Sequence, residues 1–377
     1  MKNKRVLIIS MTCGEGHNTV SKAIKEKLEK IGFEAQITQL FSYSEKRVKF
    51  ENWQYLFACK YLRVPYSIGW EMSNKSNPEK RDKLSVHKTV KKTLSVLKEK
   101  IDEYQPSAII STHPYSNVAV NDMLKLGMID REKIRTVSVL TDYCVHPYWE
   151  AGVELDYVIS PTDDTIEELL KRGYKQDQIK VIGYPVASKF SKRMTKEQAR
   201  QELGLQNKFT VLIMNGGNGL GKNLKLIKNL KKSEKEFQII CVCGKNKKGK
   251  EELDDYIEKN KVTNIISLGF VSNIEVLMSA ADVMFSRGGG VSLTEALNMN
   301  VPLIIREKII INEKRNKEFL IKRKSALNIE NINEAKDALE FLIENPNILE
   351  EIKTNQKEHV NPNAADDIAG FIDKIVS

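Results

Sequence analysis

Arg287-Gly288-Gly289-Gly290, with Ser286 before them and Thr294 and Glu295 shortly after, form a combination of residue types that can hold an anion. Glycines lack a Cβ and tolerate φ > 0, so successive backbone N–H groups can approach a single phosphate. A helix starting just beyond adds the positive end of its dipole at the same point. The same turn also serves as a tight strand-to-helix connection, and the glycines alone leave both readings open. Glu295 has two readings as well. Ser292-Leu-Thr-Glu295 fits a capping box, in which the carboxylate satisfies the helix's own first N–H. A carboxylate with two acceptor oxygens also suits two vicinal hydroxyls, such as those of a ribose. The elements required to position these groups are a short buried strand over 283–286, a helix over 292–299 and a second strand over 301–305.

Two further glycine loops follow apolar strands. Asn215-Gly216-Gly217-Asn218-Gly219-Leu220-Gly221 comes after a strand over 209–214 and lacks the Gly-Lys-Ser/Thr of a Walker A loop. Thr12-Cys13-Gly14-Glu15-Gly16-His17 comes after a strand over 5–11 and before a helix over 19–31. It lacks the third glycine and the downstream acid of a dinucleotide fingerprint. His17 stands where open α/β sheets collect ligands, and an imidazole there can take a proton near neutral pH; the alternative is a loop histidine bonded to backbone. Strands over 107–112 and 135–140 end in His113-Pro114-Tyr115 and Thr141-Asp142-Tyr143, with His146 and Trp149 beyond. Polar and aromatic groups thus cluster at strand ends.

The run GGGVSLTEALNMNVPLI (288–304), with Glu313 and Asn316 following, resembles the donor-nucleotide signature of glycosyltransferase family 28. These inverting enzymes include the diacylglycerol glucosyl- and galactosyltransferases and the peptidoglycan N-acetylglucosaminyltransferase. The GEGH run ending at His17 is similar to the GxGH loop of the diacylglycerol enzymes, and Thr141 to His146, with Trp149 beyond, resembles their TDxxxH stretch. The resemblance covers nearly the whole chain. It implies an α/β GT-B fold, two doubly wound Rossmann-like domains facing each other across a cleft, and transfer of a hexose from a UDP-sugar to diacylglycerol. By the same resemblance His17 is the general base, with Asp142 second. Gly216, Gly217 and Asn218 face the donor diphosphate together with Gly288, Gly289 and Gly290, and Ser286, Arg287 and Thr294 also bind the donor. Phe270 and Val271 meet the uracil through backbone, Met278 lies near the base, Glu295 holds the ribose, and Asn312, Glu313 and Asn316 hold the sugar. Gly16, Phe50, Trp53, Tyr55, Pro114, Tyr143, His146 and Trp149 fall on the acceptor and membrane side.

The chain also departs from the pattern. Asn312 stands where a glutamine is expected, Ile311 replaces a glycine, Gly288 a proline and Ala187 an arginine. These changes bear on the donor sugar. They also keep open a non-catalytic UDP-sugar or membrane-binding relative that lost its chemistry over 309–312.

The strand–helix alternation in both halves predicts an acceptor domain over 1–187, a donor domain over 188–363 and a terminal helix over 364–377 that returns to the first domain. Three elements carry the detail: a helix over 79–104 with Val90, Leu94, Leu97, Ile101 and Tyr104 on one face, capping boxes at Thr195/Gln198 and Ser272/Glu275, and wholly helical structure beyond the donor block. Phe41–Trp70 mixes aromatic and basic residues, which suits a lipid interface or, through stacking, single-stranded nucleic acid.

The net charge of +10 calls for an anionic partner. With no apolar run near the ~20 residues needed to span a bilayer and five cysteines without metal spacing, the expected location is cytoplasmic, peripheral on the inner membrane face. Expected partners are a UDP-hexose, diacylglycerol and an anionic membrane surface, without nucleic acid. The absence of any Asp-x-Asp leads to an expectation of no metal and no other cofactor. The same-class alternative is N-acetylglucosamine transfer from its UDP derivative to a polyprenyl-linked acceptor.

Overall fold

The computed structural model describes residues 3–13, 15–75, 85–306 and 310–377. Gly14 of the first glycine loop, residues 79–84 of the expected helix, and Lys308 and Ile309 of the altered donor loop lie outside the described residues.

The chain forms two compact units, Met1–Ser188 with Asn361–Ser377, and Lys189–Val360. In chain order the first contains β1 (Arg5–Ser10), α1 (Gly16–Lys30), β2 (Glu34–Gln39), α2 (Glu45–Tyr61), α3 (Arg63–Lys75), α4 (Ser85–Tyr104), β3 (Ala108–Ser111), α5 (Pro114–Lys125), β4 (Arg135–Val139), β5 (Tyr157–Ser160), α6 (Ile166–Lys171) and β6 (Ile179–Val181). Its sheet is parallel, in the order β2-β1-β3-β4-β5-β6. The strands are short apolar runs because helices cover both faces, as a parallel sheet requires. Val6, Leu7, Ile8 and Ile9 are all buried. On α4, Val90, Leu94, Leu97 and Ile101 point into the core and Tyr104 packs at its edge, as the four-three spacing predicts.

The second unit contains α7 (Lys196–Glu202), β7 (Thr210–Met214), α8 (Asn223–Leu230), β8 (Gln238–Val242), α9 (Lys247–Lys259), β9 (Ile265–Leu268), α10 (Ile274–Ala280), β10 (Val283–Ser286), α11 (Gly290–Asn298), β11 (Leu303–Arg306), α12 (Ile311–Lys322), β12 (Ala326–Ile329), α13 (Ala335–Glu344) and α14 (Pro346–Glu358). Its sheet is again parallel, in the order β12-β11-β10-β7-β8-β9. The last helix, α15 (Ala364–Ile375), belongs to the first unit, where it packs on α1 with Lys27 paired to Asp366 and Lys4 paired to Asp373 at 3.2 Å.

Three local expectations change. α11 starts at Gly290 with Gly289 as its N-cap, so Ser292 and Glu295 lie inside the helix and form no capping box. α10 starts after Asn273, and Glu275 pairs with Lys189 at 2.7 Å instead of capping. β12 interrupts the region expected to be wholly helical. The Thr195/Gln198 box forms as expected.

Candidate functional site

Each sheet reverses its strand order once, between β1 and β3 in the first unit and between β7 and β10 in the second. In open α/β sheets ligands collect at the carboxyl ends of strands beside such a reversal. The glycine loops read from the sequence occupy these places.

In the first unit the loop after β1 leads into α1 at Gly16-His17. His17 Nδ1 lies 2.8 Å from the Thr112 carbonyl oxygen, just past β3, and 3.0 Å from the Thr141 hydroxyl, just past β4. A carbonyl oxygen only accepts, so Nδ1 carries the hydrogen and Nε2 of the neutral ring keeps its lone pair. Ser21 ties the same corner down, its hydroxyl donating to the His17 carbonyl oxygen at 2.9 Å and bonding the Thr112 hydroxyl at 2.9 Å. Desolvation lowers the His17 pKa to about 4, against a smaller upward pull from the Thr112 bond.

The His113 ring meets His17 edge-on, with centroids 4.4 Å apart. Its Nδ1 accepts from the Tyr115 N–H at 3.0 Å and caps α5, where Pro114 is the first helical residue. The His146 Nδ1 likewise accepts from the Tyr148 N–H at 3.1 Å. In both residues the neutral ring therefore carries its hydrogen on Nε2, the reverse of His17. Burial holds His113 well below the usual histidine range and takes His146 to about 3, with Arg172 adding to the effect on His146. Rings continue outward from His113 through Tyr115, Tyr148 and His146 to Trp70, with centroids 5.1 to 5.9 Å apart. Asp142 follows Thr141 and is half-buried. Tyr143 is buried and stacks on Tyr184 at 5.8 Å. Trp149 packs in the core with Val145 and Leu169, its carbonyl accepting from the Tyr174 hydroxyl at 2.7 Å.

Phe50 and Trp53 are exposed on α2. With Phe57 and Tyr61 they form a ladder of exposed rings, successive centroids 6.1, 5.3 and 5.0 Å apart, while Tyr55 is half-buried. Exposed Val64, Ile68 and Met72 continue the apolar surface along α3. Lys46 and Lys49 are exposed near the start of α2. Among the described residues no helix is long and apolar enough to cross a membrane.

In the second unit the loop after β7 and the turn after β10 flank the reversal. Gly216 has φ +72°, and a Cβ on Gly219 would fall 1.8 Å from the Cys243 carbonyl oxygen, so this loop can approach β8 only as glycine. Gly217 and Asn218 are half-buried in the same loop. Arg287 donates to Glu313 at 2.8 Å and to the Leu220 carbonyl at 3.4 Å, which joins the two loops. Gly288 has φ +111° and sits against Glu313, and its carbonyl accepts from Asn316 Nδ2 at 3.1 Å. Glu313 and Asn316, on the first turns of α12, thus hold the glycine turn in place. Gly289 and Gly290 follow as N-cap and first residue of α11, Ser286 is buried at the end of β10, and Thr294 bonds back to the Gly290 carbonyl at 2.8 Å. Ile311, in the place of a glycine, opens α12 with its side chain buried and needs no positive φ. Asn312 is half-buried beside it.

Glu295 is buried in the interior of α11 and makes no hydrogen bond to another described residue. Desolvation raises its pKa to about 8, opposed by Lys189 and reinforced by Glu275. Phe270 is 62% exposed at the end of β9 with the Lys245 ammonium 5.6 Å from its ring centroid; Val271 is half-buried and Met278 fully buried in α10. The sequence reading gave no role to Thr112 or Arg306 and named His113 only among the polar groups at strand ends; the available signal was that each stands at or just past the end of an apolar strand.

The family model for monogalactosyldiacylglycerol (MGDG) synthase matches residues 17–186, and that for the glycosyltransferase family 28 C-terminal domain matches residues 187–368. A Bacillus subtilis strain 168 protein named processive diacylglycerol beta-glucosyltransferase is 31% identical over 94% of this chain and 91% of its own length. A Bacillus licheniformis protein of the same name is 29% identical over 94% and 91%. Among solved structures, Acinetobacter baumannii MurG aligns with TM-score 0.65 at 16% identity, covering 98% of this chain and 99% of its own. The Anabaena HepE complex with UDP-glucose aligns with TM-score 0.60 at 14% identity over 98% and 99%. The two parallel sheets and these likenesses make the fold GT-B, and the chain belongs to the family of glycosyltransferases that joins an MGDG synthase domain to a glycosyltransferase family 28 C-terminal domain.

Proposed function

We propose that this protein transfers a hexose, glucose first among the candidates, from its UDP derivative to the hydroxyl of diacylglycerol at an anionic membrane surface, with inversion at the anomeric carbon and without a metal ion. What carries this reading is the likeness, over nearly the whole chain, to a protein named processive diacylglycerol beta-glucosyltransferase. A β product is what inversion of an α-linked nucleotide sugar gives.

The geometry is compatible with the following mechanism. His17 Nε2, whose lone pair is kept free because Nδ1–H is held by Thr112 and Thr141, accepts the proton of the acceptor hydroxyl. A pKa near 4 keeps the ring neutral throughout the physiological range, so the lone pair is always available. It also makes proton transfer late, after the new C–O bond has begun to acidify the hydroxyl. The hydroxyl oxygen bonds the anomeric carbon as the bond to the UDP oxygen breaks, through an oxocarbenium-like transition state. Negative charge grows on the leaving diphosphate, where the glycine-loop N–H groups and the first turn of α11 receive it. Glu295 accepts from the ribose hydroxyls, Asn312 and Glu313 line the sugar, and Asn316, fully buried with its amide on the Gly288 carbonyl, acts on the sugar only through the turn it holds. Asp142, one residue past Thr141, is the second candidate for the base. The exposed rings and lysines of α2 meet the lipid surface on the cytoplasmic face.

The test is incubation of the purified protein with diacylglycerol in anionic micelles and UDP-glucose, UDP-galactose or UDP-N-acetylglucosamine in turn. UDP release and glycolipid are followed together by chromatography. A hexosyl-diacylglycerol formed with stoichiometric UDP is expected. Glycolipid only from UDP-N-acetylglucosamine, or UDP binding with no glycolipid from any donor, contradicts the proposal.

A further inference from the structure

Arg306 closes β11 with its side chain inside the protein, only 5% exposed. Its Nη2 donates to Asn215 Oδ1 at 2.9 Å, at the carboxyl end of β7 beyond the intervening β10. Asn215 Nδ2 in turn donates to Asn223 Oδ1 at 2.6 Å, at the start of α8. The glycine loop lies directly against this pair: a Cβ on Gly221 would fall 2.7 Å from Arg306 Nη2 and 3.0 Å from Asn215 Nδ2.

Among the described residues no carboxylate pairs with Arg306, whereas Arg287 has Glu313. Arg287 is close enough to act on Arg306: burial first, then the charge of Arg287, lowers the Arg306 pKa to about 10, so it remains cationic at neutral pH. Among the described residues two guanidinium groups therefore share one carboxylate at the strand-order reversal, beside both glycine loops. A buried cation without a counter-charge is unfavourable, and a guanidinium is the group best shaped to meet phosphate oxygens.

We propose that Arg306, held by Asn215 against the loop 215–221, is the buried cation that balances the diphosphate of a nucleoside diphosphate bound at the strand-order reversal of the second unit. This rests on the donor reading above and deepens it, assigning the diphosphate charge to a residue outside the glycine turns. Arg287, already neutralised by Glu313, orders the turn; Arg306 supplies the uncompensated charge.

Calorimetric titration of the full-length protein with UDP, UMP and inorganic pyrophosphate tests this, on wild type and on Arg306→Gln, Arg306→Lys and Asn215→Ala. Wild type should bind pyrophosphate and prefer UDP to UMP. Arg306→Gln, with an unchanged melting temperature, should weaken UDP and pyrophosphate by about tenfold or more and bring the UDP preference toward parity. Arg306→Lys, which keeps the charge without the fork, should fall between them. If Arg306→Gln does not fold, Asn215→Ala, which frees the guanidinium, should show the same loss of preference. An unchanged UDP preference in whichever of these two variants folds overturns the proposal. Wild-type protein that binds pyrophosphate through Arg306 but does not bind UDP would uphold the anion site and contradict the UDP-sugar reading. Binding of neither ligand would remove both.

Discussion

At the scale of single residues, Glu295 is a buried carboxyl whose two sequence readings, helix cap and ribose ligand, the helix start separates. Ser292 and Glu295 have capping-box spacing, but the helix begins at Gly290, and the carboxyl is left inside the protein with its pKa raised to about 8. Hydroxyl donors of a ribose bond the ionised form, so UDP binding should release a proton from Glu295 wherever the free protein holds it protonated. UDP affinity should therefore rise between pH 6 and about 8, by up to about tenfold per pH unit, and level off above. Glu295→Gln should bind UDP more weakly at pH 8.5 and show no such rise. Titrations across this range decide the matter, and a wild-type affinity that is flat with pH would separate Glu295 from the ribose.

At the scale of elements, α2 and α3 carry an apolar surface that the first unit does not bury. Trp53 is 56% exposed and stacks between Phe50 and Phe57, beside the exposed Lys46 and Lys49. Trp53→Asp with Phe57→Asp should cut sedimentation with phosphatidylglycerol-containing vesicles by about tenfold or more, since two interfacial aromatics are lost and like charge is introduced. UDP binding should be unaffected. Equal sedimentation of variant and wild type would place the lipid contact elsewhere.

The elements also show what the sequence makes legible. Interior strands such as β1, β7 and β10 read clearly because both faces are covered and the whole run is apolar. β2 and β12 lie at sheet edges, and their mixed runs, EAQITQ and ALNI, carry little of that signal. The donor block was readable because Gly288 to Asn316 is nearly continuous in sequence. The Thr112–His17–Thr141 clamp and the Arg306–Asn215 pair exist only once parallel strands bring separate loops together, and neither spacing nor composition records that.

At the scale of the whole molecule, two sheets of similar topology divide the chemistry. The first holds an oriented imidazole and the second two glycine turns with a buried carboxyl. The first arrangement has a consequence for stability. His17, His113 and His146 are held neutral, with pKa values of about 4, well below normal and about 3. Each takes up its proton in the unfolded chain near 6.5, so the unfolded state binds more protons at mildly acidic pH. Their contribution is complete above about pH 6.5 and is lost as the pH falls toward 4. The melting temperature of the first unit's transition should drop over that interval, and His146→Gln should make the drop shallower. A melting temperature independent of pH from 7 to 4.5 would show that these rings are not buried neutral.

The most direct test of the account is His17→Ala, read by hexosyl-diacylglycerol formation and by UDP affinity on the same preparation. Loss of the proposed base should remove turnover, by about a hundredfold or more, while UDP binding, assigned above to the other unit, should stay within about twofold of wild type. A His17→Ala protein that still makes glycolipid at the wild-type rate would take His17 out of the reaction and contradict the account at its centre.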